Sequence, residues 1–253
     1  MAAVSELQGK KIFFFHPSAV VKNQIMEELA QQEYEVYAVK DSTQIRKAIK
    51  NYPDSIIFID INEQMPEPTW EKWVIQVKTD YPEVSIGVIS SNKDEKLISK
   101  YVNQIKIDCG FTVIKSDLNK SIVQVLEALK AADAKGRRKY IRINTEKETT
   151  ATVNLFTHGD FINGAIKDIS VVGISCAFAN DPNLEKNTLF KGIQIKLQTT
   201  ILKVEAIVFG SRMDGNSKNY VLLFTQRIDP EVKTKIRRYI QQNLQNKMNS
   251  ELK

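Results

Sequence analysis

A chain of 253 residues that is 42% hydrophobic has the length for one large or two ordinary domains and enough apolar content for sizeable cores, which excludes a disordered chain. No apolar run approaches the ~18 to 20 residues of a membrane span, and Met1 to Lys11 lacks the apolar core of a signal peptide, so a cytosolic protein is expected. The formal net charge of +6 is unevenly spread: residues 1–130 carry 16 Lys+Arg against 18 Asp+Glu, net −2, and residues 131–253 carry 20 against 12, net +8.

In chain order, the first half alternates apolar strand-like runs with helix-period segments. Ile12 to Phe15, Val36 to Val39, Ile56 to Ile59, Ile86 to Ile89 and Thr112 to Ile114 are rich in β-branched and aromatic residues. Val21 to Gln31, Ser42 to Asn51, Trp70 to Thr79 and Leu118 to Leu129 have helical periodicity. Such a βα repeat predicts a five-stranded parallel sheet covered on both faces, with any ligand at the carboxyl ends of its strands. Trp70 and Trp73, three apart on one predicted helix, fit either the groove between helix and sheet or an exposed patch for a partner. The helical pattern stops near Lys130 and gives way to the small, polar stretch Ala131 to Gly136, which places a domain boundary there.

Beyond the boundary the chain reads as short strands and one terminal helix. Residues alternate in Ile174 to Phe178, in Ile193 to Leu197 and around Val204 to Val208, with turns at His158-Gly159-Asp160 and Asp214-Gly215-Asn216. After Pro230, the residues Val232, Ile236, Tyr239, Ile240 and Leu244 form one apolar face of a helix suited to plugging a barrel. Cys109 and Cys176 have no CxxC spacing, and neither His16 nor His158 comes with a carboxylate and cysteine cluster. Metal and disulfide chemistry are therefore unsupported, and the cysteines are expected as buried apolar residues.

Five of the eight residues from Lys135 to Arg142 are cationic, among them Arg137, Arg138 and Arg142. Guanidinium forks take phosphate oxygens and the O6/N7 edge of guanine bidentately, so the cluster suits an anionic nucleotide, although a solvated linker has the same look. Downstream, Asp168-Ile169-Ser170-Val171-Val172-Gly173 combines a short carboxylate, a hydroxyl and a glycine that leaves room for a ligand or a backbone to come close.

Arg138 and Arg142 resemble the RxxxR motif of PilZ domains, and Asp168, Ser170 and Gly173 resemble that family's (D/N)xSxxG. The resemblance implies a six-stranded antiparallel β-barrel with a C-terminal helix, and cyclic di-GMP as ligand. It also implies roles: Arg138 and Arg142 on phosphate and guanine, Asp168 and Ser170 on the base or its bridging groups, and Gly173 for clearance. An arginine in the place of Arg137 goes, in the family, with an intercalated nucleotide pair.

The first half is similar to a response-regulator receiver domain. Pro53 to Ile61 resembles that family's third strand, with Asp60 at the phospho-acceptor position and Met65-Pro66 in the following loop. Lys115 ends the fifth strand and Ser90 or Ser91 the fourth, as in receivers. The departures are His16-Pro17, where receivers hold Mg²⁺ with two acidic residues, and Ser116, where a proline follows the lysine. One carboxylate is poor provision for magnesium, so the resemblance implies a degenerate, unphosphorylated domain.

The expected organisation is a receiver-like α/β domain over 1–130, a linker carrying RxxxR over 131–143, and a PilZ barrel with its helix over 144–253. The expected function is that of a non-enzymatic cyclic di-GMP receptor, without a cofactor, that changes interdomain geometry to signal to a protein partner through the N-terminal domain. A phosphorylation-responsive output protein is the alternative. Nucleic-acid binding through the basic half is not expected, because the sequence displays neither an aromatic platform nor a basic stripe.

Overall fold

The computed structural model describes residues 9–62, 64–114, 117–146, 148–157, 159–215 and 217–253. They divide into two compact units, 9–139 with 245–253, and 140–244. In the first unit, β1 (Ile12–Phe15), β2 (Val36–Val39), β3 (Ile56–Asp60), β4 (Ser85–Ser90) and β5 (Phe111–Val113) form one parallel sheet in the order β2-β1-β3-β4-β5. Every residue of β1 and β3 is buried, which is why these strands read as unbroken apolar runs rather than alternating ones. The strand order reverses between β1 and β3, so the crevice of this fold opens beyond Phe15 and Asp60.

The expected helices are present. A π-helical stretch, Val21–Met26, runs into α1 (Glu27–Gln31). It is followed by α2 (Ser42–Asn51), capped by the Asp41 carboxylate on the Thr43 and Gln44 amides, and by α3 (Glu67–Asp80). Trp70 and Trp73 on α3 are both buried, with ring centroids 5.5 and 5.1 Å from that of Phe15, so they pack between helix and sheet. Between β4 and β5 lies a helix absent from the sequence reading: α4 (Glu95–Ser99) continuing as a π-helical stretch, Lys100–Ile105. Tyr101 is its buried anchor, and Lys100 bridges to Glu67 at 2.7 Å and Glu71 at 2.8 Å. The unit's last long helix is α5 (Leu118–Ala131). Residues 245–253, expected with the barrel, group instead with this first unit: the Gln245 side-chain amide pairs with both N–H and C=O of Ala38, at 2.9 and 3.0 Å.

The second unit contains β6 (Ile143–Asn144), β7 (Ala151–Thr157), β8 (Asp160–Ser170), β9 (Gly173–Phe178), β10 (Leu189–Leu197), β11 (Thr200–Asp214) and β12 (Ser217–Phe224). Antiparallel pairing runs β8-β7-β10-β11-β12-β9 and closes through β8–β9, giving a six-stranded barrel with β6 added beside β8. Alternate residues face inward: Val153 and Leu155, Ile193, Ile195 and Leu197, and Leu202, Val204, Ala206 and Val208 are all buried in one core. The C-terminal helix α6 (Pro230–Glu251) sends Ile236, Tyr239 and Ile240 into that core, with Val232 and Leu244 packed against it, as its apolar periodicity predicts. Cys109 and Cys176 are buried free thiols, pushed up to about 11 and about 12 mainly by burial. Among the described residues no helix is long and apolar enough to cross a membrane.

The loop after β9 is tied to the barrel by Asp181, whose carboxylate accepts hydrogen bonds from the Tyr220 hydroxyl, the Asn183 N–H at 2.9 Å and the Lys218 ammonium at 3.0 Å. These donors, the Tyr220 hydroxyl first, lower its pKa from 3.8 to about 2. A carboxyl depressed in the folded state adds stability that is present above its unfolded value and is lost as pH falls through the folded one. Thermal melts between about pH 4 and about pH 2 should therefore lose Tm more steeply in the wild type than in Asp181→Asn. Parallel curves would show that the loop contributes nothing to acid sensitivity.

Candidate functional sites

Two places in the fold gather polar side chains at chain ends or turns. In the first unit, Asp60 closes β3 and is 1% exposed. Its Oδ2 accepts the Ser18 N–H at 3.1 Å, and its Oδ1 accepts the Asn62 N–H at 3.2 Å and the Asn62 Nδ2 at 2.8 Å. The Asn62 Oδ1 in turn accepts from the Ser90 hydroxyl, the Ser91 N–H and the Ser91 hydroxyl at 3.0 to 3.1 Å. Asp60 thus joins the ends of β1 and β3 through N–H donors, and the Asn62 oxygen, as acceptor, extends the tie to the end of β4.

A magnesium ion fits this place poorly. Both Asp60 oxygens already serve N–H groups, and the residues that follow β1 are His16 and Pro17. His16 adopts a left-handed backbone, φ 51°, with its ring 4.4 Å from Phe15 and 5.8 Å from Trp70. Among the described residues no group of three or more His, Cys, Asp or Glu could hold a metal ion. Lys115 and Ser116 lie outside the described residues, as does His158. The tie from Ser18 and the Asn62 hub were not legible from spacing.

In the second unit the site is built on β6. Its two residues pair with β8, Ile143 opposite Ile169 and Asn144 opposite Asp168, with Arg142 immediately before them. Thr145 locks this pairing, donating its N–H to the Lys167 carbonyl at 2.9 Å and its hydroxyl to the Ile166 carbonyl at 2.6 Å. Ile143 turns into the barrel core, which leaves Arg142 on the outer side. There its Nε lies 3.5 Å from Asp168 Oδ1, with side chains 46% and 17% exposed. An ion pair this open contributes about 0 to 1 kcal/mol, so exchanging it for a ligand phosphate costs little.

The chain next reverses through a two-residue turn, Val171-Val172, that pairs Ser170 with Gly173. The buried Ser170 hydroxyl donates to the Gly173 carbonyl at 3.3 Å and accepts the Val172 N–H at 3.4 Å. The space left by Gly173 is taken up by backbone: a Cβ there would meet the Leu222 carbonyl oxygen of β12 at 2.4 Å. Arg142, Asp168, Ser170 and Gly173 therefore share one corner of the barrel. Arg137 and Arg138 are exposed residues of the first compact unit, whose division from the second falls between Lys139 and Tyr140. Sequence reasoning missed Thr145, the residue that fixes β6 in register.

The fold and this corner define a two-domain protein, a parallel α/β domain of receiver topology followed by a closed antiparallel barrel with a C-terminal helix. Residues 136–242 match the PilZ domain family, and that part of the chain is a PilZ domain. Among solved structures it is similar to the PilZ domain with c-di-GMP of YcgR from Escherichia coli, at 16% identity over 45% of this chain and 95% of that one, TM-score 0.37. It is similar also to the Bacillus subtilis inhibitor of motility, at 20% identity over 44% of this chain and 52% of that one, TM-score 0.38. A third likeness is to the signal receiver domain of an HD domain-containing protein from Pseudomonas fluorescens, at 16% identity over 49% of this chain and 98% of that one, TM-score 0.41. The chain thus spans about half the length of the Bacillus subtilis protein. No curated protein matches it.

Gly173→Ala should destabilise the barrel by about 1 to 3 kcal/mol or more, because a methyl group in contact with the Leu222 backbone forces β9 and β12 apart. Urea unfolding measures this. Unchanged stability would mean that the two strands yield freely at that point.

Proposed function

We propose that this protein is a non-enzymatic receptor for cyclic di-GMP, which it binds through RxxxR and the Asp168–Gly173 turn. The PilZ match supports this reading, and the observation that carries it is the β6–β8 register, which sets Arg142 beside Asp168 on the outer face of the barrel. Arg138 and Arg142 take phosphate and the guanine edge, Asp168 and Ser170 the base, and Arg137 stacks on a second nucleotide. Gly173 acts by letting β12 approach, so that the turn keeps its shape. Functionally we divide the chain into a receiver-like domain over 1–130, a connection over 131–143, and the barrel with its helix over 144–253.

In this reading ligand binding becomes a change of interdomain geometry. The connection folds over the nucleotide when its guanidinium groups find phosphate, with charge-assisted hydrogen bonds of about 1.5 to 3 kcal/mol each supplying the bias. A protein partner reads the result through the first domain. Phosphorylation is not the input in this reading, since His16 and Pro17 stand where a Mg²⁺ ion would need carboxylates to neutralise the transferring phosphoryl group.

Isothermal titration with cyclic di-GMP tests the pocket. Arg138→Ala and Arg142→Ala should each abolish binding while circular dichroism stays unchanged, and Arg137→Ala should keep binding but lower the number of nucleotides per chain. Undiminished binding by the first two variants would remove the assignment. A separate test of Asp60 is incubation with a small phosphodonor and Mg²⁺, followed by intact-mass analysis. No adduct is expected; one that disappears in Asp60→Asn would establish the phosphorylation-responsive alternative.

A further inference from the structure

The outer face of β7, β8, β10 and β11 carries a row that only the strand register assembles. Phe156 on β7 stands opposite Phe161 on β8, ring centroids 5.1 Å apart in an edge-to-face pair, and the two are 54% and 59% exposed. A cross-strand aromatic pair stabilises a hairpin by itself. Its neighbours on this face are mostly amides and lysines, with Glu205 as the carboxylate two residues along β11 from Lys203. The next row is three amides and a cation, Asn163, Asn154, Gln194 and Lys203, directly paired across four strands. The row after it places Lys196 beside Thr152 on one side and Ile201, 63% exposed, on the other.

We propose that this face is a second ligand site, separate from the RxxxR corner, that binds single-stranded nucleic acid. Bases stack on Phe156 and Phe161, the Asn163 and Gln194 amides hydrogen-bond their edges, and the Lys196 and Lys203 ammonium groups meet the phosphates. The three strand spacings from β8 to β11 give about 14 Å, the reach of a short oligonucleotide. Sequence-tolerant binding of single strands needs stackable aromatic faces beside cations on one surface. The sequence showed neither a platform nor a stripe, because Phe156, Phe161, Lys196 and Lys203 come together only through the strand register, and their assembly reverses the expectation that this half binds no nucleic acid. A duplex hides its base faces from such a site, and a neutral glycan has no use for the lysines.

Fluorescence anisotropy with a labelled oligothymidylate of about 15 nucleotides, on the full chain at low salt, tests the proposal. Wild type should bind, with affinity falling as salt rises. Phe156→Ala and Phe161→Ala should each weaken binding about fivefold or more with unchanged circular dichroism, while Phe161→Tyr retains it. Lys196→Gln with Lys203→Gln should reduce the slope of log affinity against log salt by about 1.4. Arg138→Ala should leave oligonucleotide binding unchanged, which separates this site from the cyclic di-GMP pocket. Absence of binding by the wild type, equal binding of a duplex, insensitivity to both Phe→Ala changes, or displacement by a neutral oligosaccharide would each overturn it.

Discussion

The short antiparallel pairing of β6 with β8 is the constraint on which the rest depends. Two residues, Ile143 and Asn144, meet Ile169 and Asp168, and Thr145 fastens them with two hydrogen bonds to the β8 backbone. A pair of ladder positions is a small structure by itself, because isolated short strands do not outweigh the entropy of ordering them. It persists because Ile143 is buried in the barrel core and the Thr145 hydroxyl is buried with its partner. Once it forms, the side of the chain on which Arg142 emerges is fixed, since a slip of one residue would send the guanidinium inward.

The same economy runs through the Ser170–Gly173 turn. Its hydroxyl satisfies the turn's own backbone, and its glycine lets β12 close the barrel against it. Motif residues therefore divide into those that shape the corner and those that present charge from it. Arg142 and Asp168 belong to the second group, and their weak ion pair keeps both near the surface without tying either down. In the first unit Asp60 has the opposite character, a buried carboxylate fully occupied in holding strand ends together.

Much of this was legible in the sequence. Strands buried on both faces, such as Ile12–Phe15 and Ile56–Asp60, declare themselves as apolar runs, and the α6 face declares itself by period. The helix from Glu95 through Ile105 did not, because its start is charged, its second half is π-helical and its burial rests on Tyr101. Long-range pairing was the other gap. RxxxR and the Asp168 motif are visible as strings, whereas their adjacency depends on the β6–β8 register. The Phe156–Phe161 pair is five residues apart in sequence and becomes one surface only when the hairpin closes. Gly173 was legible as a close approach, but only the fold distinguishes a neighbouring strand from a ligand.

The measurement that bears most directly on this account is a titration of cyclic di-GMP followed by amide chemical shifts along the chain. The account predicts that the largest changes fall on Arg142, Asp168 and the Ser170–Gly173 turn, with the connection from Arg137 onward shifting beside them. Changes centred instead on Ser18, Asp60 and Ser90, with the β6–β8 corner still, would contradict it.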